Sequence, residues 1–158
     1  MNEKAILAID QGTTGSKALL LNTKGQVLGS HTVEFTQIYP KNDFVEHDPN
    51  EIWSSVNEAI ETVIKKTKFS TKNIECIRIT NQRETTVIWD KSTQNVLYNA
   101  IVWQCKRTSK ICQDLKSAGL EKLFHEKTGL LLDPYFSGTK MRWLLDHLGL
   151  QDHKNIAL

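Results

Sequence analysis

The stretch Ile6-Leu7-Ala8-Ile9-Asp10-Gln11-Gly12-Thr13-Thr14-Gly15-Ser16-Lys17-Ala18-Leu19-Leu20-Leu21 decides the fold. An apolar run closes on a carboxylate at Asp10, crosses Gly12-Thr13-Thr14-Gly15, and resumes at Ala18. That is a strand, a tight polar turn and a second strand. Glycines let the backbone come close, and successive N–H groups in such a turn form an anion-binding concavity. Thr13, Thr14 and Ser16 add hydroxyl donors, and Lys17 adds a cation. Asp10, ending a buried strand, is placed to hold Mg²⁺ through water, because magnesium takes oxygen ligands and keeps much of its hydration. The pattern therefore predicts a polyphosphate site on Asp10, Thr13, Thr14, Gly15, Ser16 and Lys17. The spacing is neither the Walker pattern nor Gly-x-Gly-x-x-Gly. A hairpin whose turn is merely polar is the plainer alternative. The carboxylate before the turn and the cation after it favour phosphate.

The chain has 158 residues, a length that suits one domain with a real core. Its 39% hydrophobic and 24% charged residues are those of a soluble globular protein. A net charge of +2 is too small to imply nucleic acid or an anionic membrane as partner. No apolar stretch is long enough to span a bilayer, and the N-terminus, with Glu3 and Lys4, does not read as a signal peptide. Lys65, Lys66 and Lys68 read as a solvated helix end that favours cations. Cys76, Cys105 and Cys112 form no Cys-x-x-Cys pair, which fits reduced thiols and a cytoplasmic location. Cys105 and Cys112 are expected to share a helix face. The histidines are dispersed and give no zinc-ligand spacing.

A third strand is predicted over Gln26 to Phe35, so that three antiparallel strands open the chain. Gln37 to Glu46 reads as a loop. Asp48-Pro49-Asn50-Glu51 is a helix start: Asp48 as N-cap, Pro49 at the first helical position, Glu51 closing a capping box. That helix should run to about Lys66, with Ile52, Val56, Ala59, Ile60, Val63 and Ile64 as its apolar face. The capped helix accounts for Glu46-His47-Asp48 more simply than a metal cluster does. Asn73 to Thr80 is a fourth strand; a helix precedes it, so it should join the same sheet in parallel. Thr85 to Trp89 and Leu97 to Trp103 read as extended, and helices should follow over Lys106 to Lys116, Leu120 to Thr128 and Gly138 to His147. Leu130 to Phe136 is a connection anchored by Pro134.

A second polar cluster, Thr80-Asn81-Gln82-Arg83-Glu84-Thr85, interrupts two apolar strands at the end of the sheet, where ligands bind in open α/β folds. Arg83 offers a rigid fork of donors and Glu84 two acceptor oxygens, so together they can hold a polyol. Alone, the pair reads more simply as a solvated turn with an ion pair. Trp103 and Tyr135 change the balance: an indole packs against the carbon skeleton of a small polyol, and a phenol adds a hydroxyl contact. Trp53, Trp89 and Trp143 sit at regular helix or strand positions and read as core.

Taken together, Asp10 to Lys17, Tyr39-Pro40 with Val45-Glu-His-Asp-Pro49, Ile79-Thr-Asn-Gln-Arg-Glu-Thr85, Tyr98-Asn-Ala-Ile-Val-Trp-Gln-Cys105 and Thr128-Gly to Thr139 resemble the glycerol kinases, a branch of the FGGY carbohydrate kinases in the actin-like ATPase superfamily. The resemblance runs from about Ile6 to His147. It implies an α/β, ribonuclease H-like domain with a mixed sheet flanked by helices, incomplete at its C-terminal side. It implies phosphorylation of glycerol by ATP with Mg²⁺. Arg83, Glu84 and Tyr135 would hydrogen-bond glycerol and Trp103 would wall its carbons. Thr13, Thr14, Gly15 and Ser16 would approach the nucleotide phosphates, and Asp10 would place the metal. Lys17 stands where many relatives have Arg and supplies charge without a planar fork. The base that accepts the hydroxyl proton is an Asp further along in such enzymes, so no catalytic base is assigned within these residues. The expectation is the N-terminal part of a glycerol kinase, with glycerol and a complementing C-terminal polypeptide as partners. A non-catalytic remnant or interaction module is a second reading. Another FGGY sugar kinase is a third, disfavoured by Arg83-Glu84 with Trp103.

Overall fold

The computed structural model describes residues 3–158, which gather into two compact units. The first comprises residues 3–36 and 48–82, and the second Gln37–His47 with Arg83–Leu158.

In the first unit, β1 (Ala5–Gln11), β2 (Gly15–Asn22) and β3 (Val27–Glu34) pair antiparallel in succession, and β5 (Ile74–Asn81) joins β1 in parallel, giving the order β3-β2-β1-β5. The opening hairpins and the parallel fourth member are as the sequence predicts. Alternate residues of a strand face opposite sides. Ala5, Leu7 and Ile9 on β1, with Ala18 and Leu20 on β2, therefore make one apolar face, and Ala59 and Val63 of α1 (Pro49–Thr67) close over it. Burying Leu7, Ile9, Leu20 and Val63 stabilises this layer by roughly 1.5–3 kcal/mol each. Two glycines permit the close packing. A Cβ on Gly29 would lie 2.4 Å from Thr67 Cγ2, and one on Gly15 would lie 2.7 Å from the Val33 carbonyl oxygen.

Helix α1 begins as read, with Pro49 in its first turn and the Asp48 side chain accepting from Asn50 N at 2.8 Å. The capping box is not what engages Glu51. Its Oε1 accepts instead from Thr36 N (3.0 Å) and Thr36 Oγ1 (2.9 Å), tying the end of β3 to the helix start. Trp53 is 67% exposed, so its assignment to the core is corrected. The helical period places it beside, not within, the stripe that meets the sheet.

The second unit holds a separate sheet, β4-β7-β6-β8, made of β4 (Glu46–His47), β6 (Thr86–Asp90), β7 (Val96–Ile101) and β8 (Ile156–Ala157). The extended runs after residue 85 thus build a second sheet rather than lengthening the first. Two short strands recruited to it were not foreseen. Glu46–His47 lies at the end of a stretch read as loop, and Ile156–Ala157 in a tail with no strand signal. Such two-residue strands carry no periodicity and exist only through their partners. Helices α2 (Ser109–Ser117), α3 (Glu121–Thr128) and α4 (Ser137–Leu148) follow, close to expectation. Ile88, Ile101, Cys105 and Leu144 form the buried centre, with Tyr98 and Trp143 packed on it. Cys105 precedes α2 and Cys112 lies within it, so the two do not share a helix face, although both are buried. Of the tryptophans read as core, Trp143 is packed and Trp89 is 37% exposed.

Beside that centre lies a buried ion pair. Arg107 Nη2 reaches Glu46 Oε1 at 2.6 Å, with side chains 0% and 3% exposed. Tyr98 Oη (3.1 Å) and Asn99 Nδ2 (2.9 Å) also donate to the Glu46 carboxylate. The guanidinium lies over Phe44 (4.0 Å) and Trp143 (4.6 Å). Removing one member strands the other charge without its partner. Glu46→Ala is therefore expected to destabilise the second unit by about 3–5 kcal/mol. Urea unfolding followed by near-ultraviolet circular dichroism of the Trp143 cluster measures this, and a loss below about 1 kcal/mol contradicts a buried, uncompensated Arg107. In the first unit, Gly15→Ala forces the new methyl onto the Val33 carbonyl and should cost about 1–3 kcal/mol, read as faster hydrogen exchange of the β1 and β2 amides.

Candidate functional site

The residues predicted to meet phosphate belong to the first unit. Asp10 on β1 faces Lys17 on β2 and Thr80 on β5 in register, and all three are exposed. Their neighbour Ile9 is buried toward α1, so this row occupies the other face of the sheet, at the turn end of the hairpin. Opposite charges directly across a strand pair attract. The turn is closed by Gly12 N donating to Gly15 O at 3.0 Å, with Thr14 exposed at its tip. A carboxylate oxygen for a hydrated divalent cation and hydroxyl, amide and ammonium donors for phosphate are therefore together, a donor set that fits Mg²⁺ and a nucleotide tail.

Two members of the predicted set stand differently from the expectation. Ser16 is fully buried, and its Oγ lies 2.8 Å from Ser55 Oγ, which itself donates to Ile52 O at 2.7 Å. Its hydroxyl is thus engaged with α1 and is withdrawn from the exposed donors. Period two decides this: Ser16 falls on the same side of β2 as Ala18 and Leu20. Gly15 is required for the approach of β3 at Val33, a structural demand on the residue independent of any ligand.

The four residues predicted to seat a polyol belong to the second unit. Arg83 is exposed. Glu84 is a non-glycine residue at φ 65°, in the left-handed region where a side chain is held at a cost. Its carboxylate Oε2 accepts from Ser137 N (2.8 Å) and Ser137 Oγ (2.7 Å), capping the start of α4 from 53 residues away in sequence. The first residues of a helix present unpaired N–H groups and favour negative charge. One oxygen being so engaged, Oε1 keeps acceptor capacity. Tyr135 sits in the connection before α4, where its N–H donates to Asp133 Oδ1 at 2.8 Å. Its ring meets the Trp103 indole edge to face, with centroids 5.8 Å apart at 66°. The Trp103 backbone N–H donates to Thr85 Oγ1 at 3.3 Å, which ties the residue carrying the indole to the one that follows Glu84.

One residue at this site went unread in the sequence. Lys140 on α4 has no solvent exposure, and its Nζ donates to the carbonyl oxygens of both Glu84 (3.1 Å) and Tyr135. Burial pushes its pKa down from 10.5 to about 8, against the opposing pull of Glu84, Asp133 and the Cys105 and Cys112 thiols. The signal was available. Lys140 lies one helical turn before the buried Leu144, so a cation occupies a core position of the α4 stripe. A cavity of about 690 Å³ in this unit, walled by Ile111, Leu115, Phe124, Leu130, Leu132 and Phe136, includes none of the four predicted residues.

Residues 5–155 match the family described as the FGGY family of carbohydrate kinases, N-terminal domain. The chain is 57% identical over 148 residues to a glycerol kinase of Halothermothrix orenii, and 55% identical over 148 residues to one of Listeria monocytogenes. Each alignment covers 94% of this chain and 30% of the relative. Among solved structures, glycerol kinase of Plasmodium falciparum with ADP superposes with a TM-score of 0.88 at 29% identity, covering 99% of this chain and 32% of that one. Gluconate kinase of Lactobacillus acidophilus gives 0.84 at 28% identity, with 95% and 30% covered. The chain thus spans about 30% of the length of the curated relatives it matches.

The depressed Lys140 pKa has a measurable consequence. Between about pH 8 and 10.5 the unfolded chain retains a proton that the folded chain sheds, so folding gains as pH rises through that window. The stability of the wild type relative to Lys140→Met should therefore increase from pH 8 to pH 10, read as the difference in urea midpoints. A difference that is flat or falling with pH contradicts a buried, desolvated ammonium.

Proposed function

Because the chain belongs to the FGGY family of carbohydrate kinases, we propose that it forms the N-terminal part of a glycerol kinase, which transfers a phosphoryl group from ATP to glycerol to give sn-glycerol 3-phosphate. The observation that carries this reading is the grouping of Glu84, Trp103 and Tyr135 in one unit. There Glu84, with one carboxylate oxygen engaged by Ser137, shares the buried Lys140 ammonium with Tyr135, whose ring meets Trp103 edge to face. Identity of 53–57% to glycerol kinases across nearly the whole chain supports glycerol over a longer sugar.

In this reading Glu84 Oε1 accepts a hydrogen bond from one glycerol hydroxyl, and the Arg83 guanidinium donates to hydroxyl oxygens. The Trp103 indole covers the carbon chain and keeps water from it, and the Tyr135 phenol adds a polar contact. Thr13, Thr14, the Gly15 backbone and Lys17 bind phosphate oxygens, while Asp10 orients metal-bound water. Bound MgATP supplies the phosphoryl group and the positive charge that phosphoryl transfer demands. What this chain contributes is position: a fixed acceptor in one unit and a fixed phosphate cradle in the other. The base that takes the proton of the attacking hydroxyl belongs to a complementing C-terminal polypeptide or segment. Ile77 and Ile79 on β5, 55% and 71% exposed, suit a strand covered by such a segment. A cytoplasmic location accords with three unpaired thiols, and none of the helices among the described residues is long and apolar enough to cross a membrane.

The test is a chimaera in which this chain replaces the matching 148 residues of the Halothermothrix orenii glycerol kinase. It should phosphorylate glycerol with MgATP. Glu84→Ala in the chimaera should lower kcat/KM for glycerol by about 10- to 150-fold, since a hydrogen bond to a charged group contributes about 1.5–3 kcal/mol. A folded chimaera that hydrolyses or transfers nothing, or that is indifferent to Glu84→Ala, overturns the proposal and favours a non-catalytic module of the same fold.

A further inference from the structure

The ammonium of Lys140 is the least expected charge in the molecule. It has no solvent exposure, and none of the ion pairs among the described residues includes it. Burying a charge without a carboxylate at ion-pair distance is costly, and groups that carry such a cost concentrate where a precise arrangement is needed. Its partners show which arrangement. Nζ donates to two backbone carbonyls that lie far apart in sequence, Glu84 and Tyr135. Those are two of the residues read as touching the polyol.

The first carbonyl belongs to a residue at φ 65°, a conformation a glutamate adopts only when its surroundings impose it. The Glu84 side chain is held at the other end by Ser137, three residues before Lys140 on the same helix. The turn at Glu84 is therefore gripped twice by α4, at its carbonyl by Lys140 and at its carboxylate by the helix start. Tyr135 is gripped by the same ammonium. One nitrogen thus fastens together two backbone segments that lie about 50 residues apart in the sequence.

We propose that Lys140 is a positioning residue for the polyol seat, fastening the strained Glu84 turn and the Tyr135 connection to α4 so that carboxylate and phenol stand at a fixed separation. The proposal rests on the reading of Glu84 and Tyr135 as glycerol contacts. Lys140 itself touches no substrate. A neutral amine keeps two donors for two carbonyls, so the fastening persists through deprotonation, and its loss requires removal of the nitrogen.

Two measurements test this. In the wild-type chain, the Lys140 ¹⁵Nζ protons should exchange slowly with water and show through-hydrogen-bond coupling to the carbonyl carbons of Glu84 and Tyr135. This needs no variant and no ligand, and rapid exchange with no coupling overturns the proposal. In the chimaera described above, Lys140→Met keeps the side-chain length and removes the donors. It should raise KM for glycerol by about tenfold or more while leaving KM for ATP within about twofold, and it should speed hydrogen exchange at the Ser137 amide about tenfold. Equal effects on both KM values, or a fall in thermal stability with Ser137 still protected, assign Lys140 to bulk stability and overturn the proposal. Should the wild-type chimaera ignore glycerol while Lys140→Met still exposes Ser137, the polyol reading fails and the fastening of the Glu84 turn stands.

Discussion

A charge taken out of water has to be met by fixed donors or acceptors, and that constraint organises the second unit of this protein. Glu46, Arg107, Glu84 and Lys140 are acidic or basic residues that a surface would accommodate at little cost. Three of them are almost wholly buried, and each is answered by groups from another part of the chain. Glu46 on a two-residue strand is met by Arg107, Tyr98 and Asn99. Lys140 on α4 is met by carbonyls before α4 and after β5. These contacts need atoms at set distances, where apolar packing needs only volume. The short strands and the turn at Glu84 hold their shape because polar partners would be stranded otherwise.

The first unit is organised by a different demand. Its core is apolar and periodic, with α1 laid over one face of a sheet whose strands alternate strictly. The consequence for function is geometric. With Ile9 committed to the core, Asp10 must face the other way, into one row with Lys17 and Thr80. The same alternation removes the Ser16 hydroxyl from that row and gives it to Ser55 beneath the helix. A single two-residue period thus sorts the polar residues of the hairpin into those that can meet a ligand and those that cannot.

Glu84 shows how one residue ties several parts of the fold together. Its carboxylate caps α4, its carbonyl accepts from Lys140, and its backbone occupies a region costly for any residue but glycine. Strain at such a position persists only where the surrounding contacts over-determine it. Here they come from the helix that follows Tyr135, so the Glu84 turn and the Tyr135 connection are held by the same few contacts.

The sequence by itself determined what repeats or punctuates locally. The hairpin ending at Asp10 and Lys17, the capped start of α1 and the parallel β5 all follow from alternation, helical period and turn chemistry. Local signals misjudged Trp53, whose helical position alone did not say which side met the sheet, and Glu51, which Thr36 claimed from 15 residues away. Only the tertiary structure decided the separate second sheet, the strands at Glu46 and Ile156, the Arg107–Glu46 pair and the place of Lys140. The physical reason is that a two-residue strand or a buried charge has no signature of its own. Its free energy is set by partners that become neighbours only once the chain has folded.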